Sequence, residues 1–400
     1  MPCSPFGLFI STRQSMRIAL ITNTPPPYRL PIFSRLAALP GVVFHVVFCT
    51  RREPNRAWDL PAMEFPHHFL RERFFTVGDR YVHDNPDVVP LLLRLKPEVI
   101  ITDGFNPTHL YAFVVARLTG SAHVAMTDGT LRSEQTLSMT HRCVRRLVFR
   151  GTRAFIAASE GGQALFRSYG VKPEACFFSW LCVDNPRFRP NAPASPPTSA
   201  PVHDFIFCGR FEPAKDPLFA LAVARETALR LRRKTRLLFV GAGSLDELLR
   251  TQASRETHHV DTRFHGFALQ AELPGLYQSA RVFLFPTHGD VWGVVANEAC
   301  AAGLPVIVTP DAGVAGDLVL DEVNGYVRPR DITTWAACSE RLLTDNALWH
   351  SCSAQSLRRA TQYNFDSAAQ GILDACRFAL GIPIKSTMTP QPVASSEKSP

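Results

Sequence analysis

Two carboxylates mark the stretch from Phe285 to Thr309, which reads Phe-Pro-Thr-His-Gly-Asp-Val-Trp-Gly-Val-Val-Ala-Asn-Glu-Ala-Cys-Ala-Ala-Gly-Leu-Pro-Val-Ile-Val-Thr. An apolar run ends in a Gly-containing loop. A short helix is expected to start near Gly293 and stop at Gly303, before Pro305 opens the next buried strand. Asp290 then lies in the loop ahead of the helix, and Glu298 one to two turns inside it. Between them are the free N–H groups of the first turn, which suit a phosphate. Acid for sugar hydroxyls, amides for phosphate and acid for ribose is the order of groups along a nucleotide sugar.

About 80 residues earlier stands Gly209-Arg210-Phe211-Glu212-Pro213-Ala214-Lys215-Asp216. A glycine lets the backbone approach a phosphate, and two cations about five residues apart can straddle a diphosphate. The alternative is a solvated turn with surface Arg and Lys. Val240-Gly241-Ala242-Gly243-Ser244 ends another apolar run, but ordinary strand-to-helix turns use Gly-x-Gly too, and the third glycine of a dinucleotide fingerprint is absent. Arg142, Arg145, Arg146, Arg150 and Arg153 fall at helical spacing among apolar residues, a pattern that suits anionic lipid or a lipid diphosphate, or else an ordinary solvated helix face.

The Asp290 to Pro305 stretch resembles the signature of retaining glycosyltransferase family 4, in which two glutamates separated by seven residues precede an Ala-Cys/Met-Ala-x-Gly-x-Pro-Val run. Asp290 replaces the first glutamate and Glu298 is the second. The resemblance implies that Gly209, Arg210 and Lys215 meet the donor diphosphate and offset the charge building on it. It also implies that Gly266 and Phe267 neighbour the base, that Trp292, Gly293 and Val294 meet phosphate and sugar through their amides, that Glu298 holds the ribose and that Asp290 touches the sugar. Asp103 stands where many members carry a histidine at a strand end. Asp103 and Asp128, both followed by Gly, are the acceptor-side candidates, and Arg29 has the length to reach the same cleft. His109 and His123 read as structural residues. No cofactor and no metal is implied, since the nucleotide sugar is a substrate.

The elements that must position these groups are strands alternating with helices. Apolar runs at 17–22, 42–49, 99–102, 123–126 and 155–158 precede one composition break, and runs at 205–208, 237–240, 282–285 and 306–308 follow it. Polar residues recur at their ends, the edge where open α/β sheets bind ligands. The fold expected is α/β: two doubly wound Rossmann-like domains facing across a cleft, the arrangement called GT-B in that family. Residues 1–15 read as a disordered extension, 16–188 as the acceptor-side domain, 189–202 as a Pro-rich linker, 203–380 as the nucleotide-sugar domain and 381–400 as a disordered tail. Residues 51–90 read as irregular.

Composition narrows the classes. Four hundred residues with 46% hydrophobic content can bury two cores. Ten scattered cysteines without a Cys-x-x-Cys pair favour free thiols in a reducing cytoplasm. No run reaches the roughly 18 apolar residues of a membrane span. The net charge of +8 suits anionic partners, while no nucleic-acid module is visible. The expectation is a retaining, metal-independent transferase moving a sugar from a UDP- or GDP-linked donor to a glycan or lipid-linked hydroxyl acceptor in surface polysaccharide or lipid-linked glycan synthesis. It would be cytoplasmic and peripheral on an anionic membrane. The alternatives are a non-catalytic scaffold of the same fold and an epimerase acting on a nucleotide sugar.

Overall fold

Short runs of Val, Ile, Leu and Phe assemble into two parallel sheets. The computed structural model describes residues 15–54, 62–78, 80–135, 137–190 and 202–384. Most of the expected extension, linker and tail lies outside them. In the first domain the strands are β1 (Met16–Thr22), β2 (Val42–Phe48), β3 (His67–Phe69), β4 (Phe74–Val77), β5 (Arg80–His83), β6 (Val99–Thr102), β7 (Ala122–Thr127), β8 (Ala154–Ala157) and β9 (Cys176–Phe178). Seven of them form a sheet in the order β3-β2-β1-β6-β7-β8-β9, and β4 and β5 make a separate antiparallel hairpin. The second domain holds β10 (His203–Cys208), β11 (Thr235–Val240), β12 (Val260–Gly266), β13 (Ala280–Phe285), β14 (Val306–Val308) and β15 (Gly325–Val327), in the order β12-β11-β10-β13-β14-β15. Helices cover both faces of these parallel strands, so β6, β7, β8 and β10 are buried along their whole length. They therefore read as mainly apolar runs, interrupted by His123 in β7 and by His203 and Asp204 at the start of β10.

Each sheet reverses its winding once, between β1 and β6 in the first domain and between β10 and β13 in the second. Such a reversal splays the flanking loops apart and leaves a crevice at the carboxyl ends of the strands. The two carboxyl edges face one another. Arg132, in the short helix Leu131–Gln135 after β7, pairs with Asp311 after β14, and Asp317 accepts the backbone N–H of Glu160 at 2.9 Å.

Three features depart from the sequence reading. Residues 51–90 are not irregular throughout: β3 joins the sheet by pairing with Val46–Phe48, and the β4/β5 hairpin is held by edge-to-face packing of Phe74 on Tyr81. β9, β12 and β15 have no counterpart among the apolar runs read from the sequence. β12 is an edge strand carrying Asp261, Arg263 and His265, and β15 is three residues long with Gly325 packed so closely on β14 that a Cβ there would fall 1.9 Å from the Val306 carbonyl. The helix Phe365–Ala379, near the end of the 203–380 stretch, crosses back onto the first domain. A Cβ on its Gly371 would fall 1.7 Å from the Phe178 carbonyl, and Asp366 pairs with Arg35 at 2.5 Å. One apolar core runs from β1 through Leu181 and Phe188 into the second sheet, so the two domains share packed interior.

Candidate functional site

At the second-domain reversal, the loops leaving β10 and β13 are zipped together. The Ala214 carbonyl accepts the His288 N–H at 2.9 Å and the Thr287 hydroxyl at 3.0 Å. This contact brings Lys215 to Asp290, and the two form an ion pair at the mouth of the helix Val294–Ala301. Gly293 precedes that helix with φ of +108°, and a Cβ there would strike the Phe285 ring at 2.4 Å, so the sharp entry into the helix requires glycine. Asp290 carries a further role in the loop: its carboxylate accepts the Trp292 N–H at 3.4 Å and its carbonyl accepts Gly313 N–H at 2.8 Å. Arg210 is exposed at the same rim, and Gly209 has φ of +154°. Cationic side chains, helix-start amides and a carboxylate thus converge on one crevice, a combination suited to a diphosphate joined to a hydroxylated ring.

Glu298 lies inside the helix, turned to the interior. It is 7% exposed and accepts a 2.8 Å hydrogen bond from the Tyr277 hydroxyl. Burial pushes its carboxyl up to about 7, partly offset by the Tyr277 hydrogen bond and by Arg187. Trp292 is also interior. Its indole donates to Asn297 at 2.7 Å and its ring packs among Trp180 and Tyr363, so only its backbone faces the crevice. Of the expected base neighbours, Gly266 ends β12, its carbonyl accepting the Gly241 N–H at 2.8 Å, and Phe267 is exposed beyond it. The Gly-x-Gly turn has a packing explanation: a Cβ on Gly241 would fall 1.9 Å from the Gly209 carbonyl, and one on Gly243 2.5 Å from that of Phe211.

The first-domain reversal has a different chemistry. Asp103 leaves β6 and accepts from His109 Nε2 at 3.1 Å. Asp128 leaves β7 and binds the Arg29 guanidinium at 2.5 Å. Burial works against the Arg29 charge, but Asp128 overrides it and Asp103 adds to the effect, leaving this guanidinium more firmly protonated than usual. Thr102 and Thr152 hydroxyls bracket His123, whose pKa burial lowers to about 3; it is a core residue. Asp103 and Asp128 face the cleft, whereas His109 and His123 stand behind it.

The arginines at helical spacing divide. Arg145 turns inward, ion-paired to the buried Glu134 and stacked 4.6 Å over the Phe105 ring. Arg146 and Arg150 stay outside on the helix Met139–Arg150, beside exposed Met139 and Leu147. The helix is therefore two-faced, and Arg145 is not part of the outward basic surface.

Sequence reasoning missed several residues at the second-domain crevice. His288 and Arg330 both contact Asp216, at 3.1 and 3.4 Å, and the Arg330 guanidinium lies against the His288 ring. Arg330 follows β15, so the strand-end rule that flagged Asp103 reaches it once that strand is known. Tyr277, 21 residues before Glu298, has no spacing rule to reveal it.

Comparison with known proteins bears on this geometry. Residues 190–359 match the family described as Glycosyl transferases group 1. The D-inositol 3-phosphate glycosyltransferase of Frankia alni is 28% identical over 243 residues, covering 57% of this chain and 59% of that protein. Glycogen synthase of Mycobacterium tuberculosis is 33% identical over 175 residues, covering 43% of this chain and 40% of that one. The chain spans about half the length of the curated relatives it matches. Among solved structures, Anabaena HepE in complex with UDP superposes with a TM-score of 0.69 at 16% identity, covering 90% of this chain and 99% of that one. Sucrose-phosphate synthase of Thermosynechococcus elongatus gives 0.64 at 17% identity, over 92% and 99%. These likenesses establish the GT-B fold.

Proposed function

From the match of residues 190–359 to the group 1 glycosyltransferases, we propose that the chain moves a sugar from a nucleotide-diphosphate sugar to a hydroxyl acceptor bound in the cleft, with retention at the anomeric carbon. The observation that carries the reading is the Lys215–Asp290 pair at the start of the Val294–Ala301 helix. Lys215, with Arg210 and the helix-start amides of Gly293 and Val294, holds the diphosphate. As the bond between anomeric carbon and phosphate oxygen breaks, negative charge builds on the departing phosphate. Fixed cations and amides stabilise that charge without reorganising. The acceptor oxygen forms the new bond to the anomeric carbon and its proton passes to the leaving phosphate. Asp290 orders Lys215 and accepts from the sugar hydroxyls, and Glu298 accepts from the ribose. Gly266 and Phe267 border the base. The residues supply these charges themselves, so no metal enters the proposal.

UDP-sugars are the first donors to test, since the HepE structures hold UDP and UDP-glucose. The outward Arg146 and Arg150 beside Met139 and Leu147 support peripheral attachment to an anionic membrane at the cytoplasmic face, in keeping with lipid-linked glycan or surface polysaccharide synthesis. Among the described residues, no helix is long and apolar enough to cross a membrane.

The test is nucleotide diphosphate release from a panel of UDP- and GDP-sugars in the presence of EDTA. Release with one donor, abolished in Glu298→Ala, supports the reading. A protein that binds no nucleotide at all is a scaffold, and conversion of the sugar without release is an epimerase.

A further inference from the structure

A cavity of about 560 Å³ opens on the first domain at the edge of the sheet opposite the cleft. It lies where the helix Met139–Arg150 ends, where the chain enters β8, and where it leaves the helix Glu160–Ser168 on its way to β9. The crevices lie at the carboxyl ends of the strands, so the four residues of β8 alone set about 13 Å between this cavity and the cleft. Four cations line it: Arg146 and Arg150 from the first helix, Arg153 from the turn into β8, and Lys172 beyond the second helix. Among the described residues, none of the four has a carboxylate partner.

The other polar groups of the lining are spent or outnumbered. The Thr152 hydroxyl donates to the Val148 carbonyl at 2.9 Å and meets His123 at 2.8 Å, and the Tyr169 hydroxyl donates to Glu134. One Arg153 nitrogen donates to the Ala379 carbonyl at 3.3 Å, which leaves the rest of its guanidinium uncommitted. Glu174 is the one carboxylate in the lining, so cations outnumber acids four to one. A cation complements the carbonyl end of a helix, which accounts for Arg150 in the last turn of its helix and in part for Arg153. It does not account for Arg146, a turn earlier, or for Lys172, which precedes the helical turn Pro173–Ala175 rather than ending one. Gathering like charges around one concavity raises their mutual repulsion, and an anion within it removes that cost. The floor is aromatic. Phe149 packs edge-to-face on Phe155 and Tyr169 with ring centres 5.4 and 5.1 Å apart, and Phe378 adds a ring from the helix Phe365–Ala379.

We propose that this cavity is an anion site separate from both crevices and that it takes a phosphate ester, with Arg150, Arg153 and Lys172 on the phosphate and the Tyr169 and Phe378 rings against the carbon part. Arginine and lysine donors meet phosphate oxygens in charge-assisted hydrogen bonds, and a cavity of this volume holds a small organic molecule. A free sugar phosphate and the headgroup of a phosphate-bearing lipid present the same chemistry. With a lipid as the source, the site gives the membrane attachment proposed above a defined headgroup; with a sugar phosphate, it serves a soluble ligand. None of its residues belongs to the donor crevice, so the assignment is independent of the transferase reading.

The test is calorimetric titration of the full chain with glucose 6-phosphate and with dihexanoyl phosphatidic acid below its micelle concentration. Glucose and dihexanoyl phosphatidylcholine are the controls that lack a phosphomonoester. At least one phosphomonoester is expected to bind at least ~10-fold more tightly than its control, and the double variant Arg150→Glu with Lys172→Glu is expected to weaken it at least ~10-fold. Lys215→Ala, in the other domain, is expected to keep this affinity, and melting temperatures report that both variants are folded. Binding of the sugar phosphate alone supports the site with a soluble ligand, and binding of phosphatidic acid alone supports it with a lipid headgroup. The proposal is overturned if neither phosphomonoester binds, if the controls bind equally well, if a folded double variant keeps its affinity, or if the affinity is lost only in Lys215→Ala. A failure of this kind leaves the transferase reading untouched, since nucleotide release is measured at the other edge of the sheet.

Discussion

The two domains repeat one topology and fill its crevice with opposite chemistry. Both sheets reverse at the strand that opens the domain, β1 beside β6 and β10 beside β13, and both place an Asp in a loop at that crevice. In the second domain the Asp is Asp290, paired to a lysine at the start of a helix. In the first it is Asp103, backed by a buried histidine. The lysine offsets the Asp290 charge beside the helix-start amides, and the histidine behind Asp103 leaves that carboxylate as a hydrogen-bond acceptor. The lesson is that the topology sets where ligands lie, and the counter-charge behind each Asp sets which ligand.

Breaking the second-domain crevice should have the largest effect. On the proposed reading Lys215→Ala removes a cation that holds the donor diphosphate, and it is expected to lower kcat by about 10²–10³, measured as nucleotide release at saturating donor. A drop below 10-fold would remove Lys215 from the charge stabilisation. The first crevice should respond in another parameter. Asp103→Asn keeps the shape but loses acceptor strength, and a rise of about 10-fold in acceptor KM with a smaller change in donor KM would separate the two crevices; a matching rise in both would merge them.

Protonation sharpens the contrast on the donor side. Glu298 ionises at about 7 in the folded protein against an ordinary 4.5, because burial disfavours its charge. The carboxylate assigned to the ribose in the proposed reading is therefore present above about pH 7 and lost below it. Nucleotide affinity is expected to fall by up to about tenfold per pH unit below 7, and to be nearly flat in Glu298→Gln. The stability effect has the opposite sign. A raised folded pKa means the native state holds the proton more tightly, so this group's contribution is largest below 4.5 and declines as pH rises through 7. Glu298→Gln should gain melting temperature relative to the parent across that window.

The smallest effect belongs to the contact between the crevices. Arg132 pairs with Asp311 across the cleft but is 57% exposed, and exposed pairs contribute little. Arg132→Ala is expected to change either KM by less than about 3-fold; a larger change would make the pair a determinant of domain closure.

Much of the second-domain crevice was legible because its residues are close in sequence or follow strong punctuation. Gly293, Gly303 and Pro305 bound the helix that carries Glu298, and the loop with Arg210 and Lys215 directly follows an apolar run. The first-domain crevice was legible only at Asp103 and Asp128, which follow fully buried strands. Glu53 and His83 lie in the stretch that reads as irregular, since a three-residue strand and a short hairpin leave too few residues for a period to show. Trp292 illustrates a further limit: its place in the motif points to the crevice, yet its indole packs inward on Asn297.

The sequence by itself determined the α/β class, the two domains, the strand ends that carry polar groups and the spacing of Asp290 from Glu298, because local propensity, turn residues and helix punctuation act over a few neighbours. Only the tertiary structure decided that Lys215 meets Asp290, 75 residues away, that Glu298 is dry enough to titrate near neutrality, that Glu53 and Asp103 share one cavity, and that the helix Phe365–Ala379 returns to the first domain. Those outcomes depend on which loops a sheet reversal brings together and on how much water the packing leaves, and neither quantity is a property of any short stretch of chain.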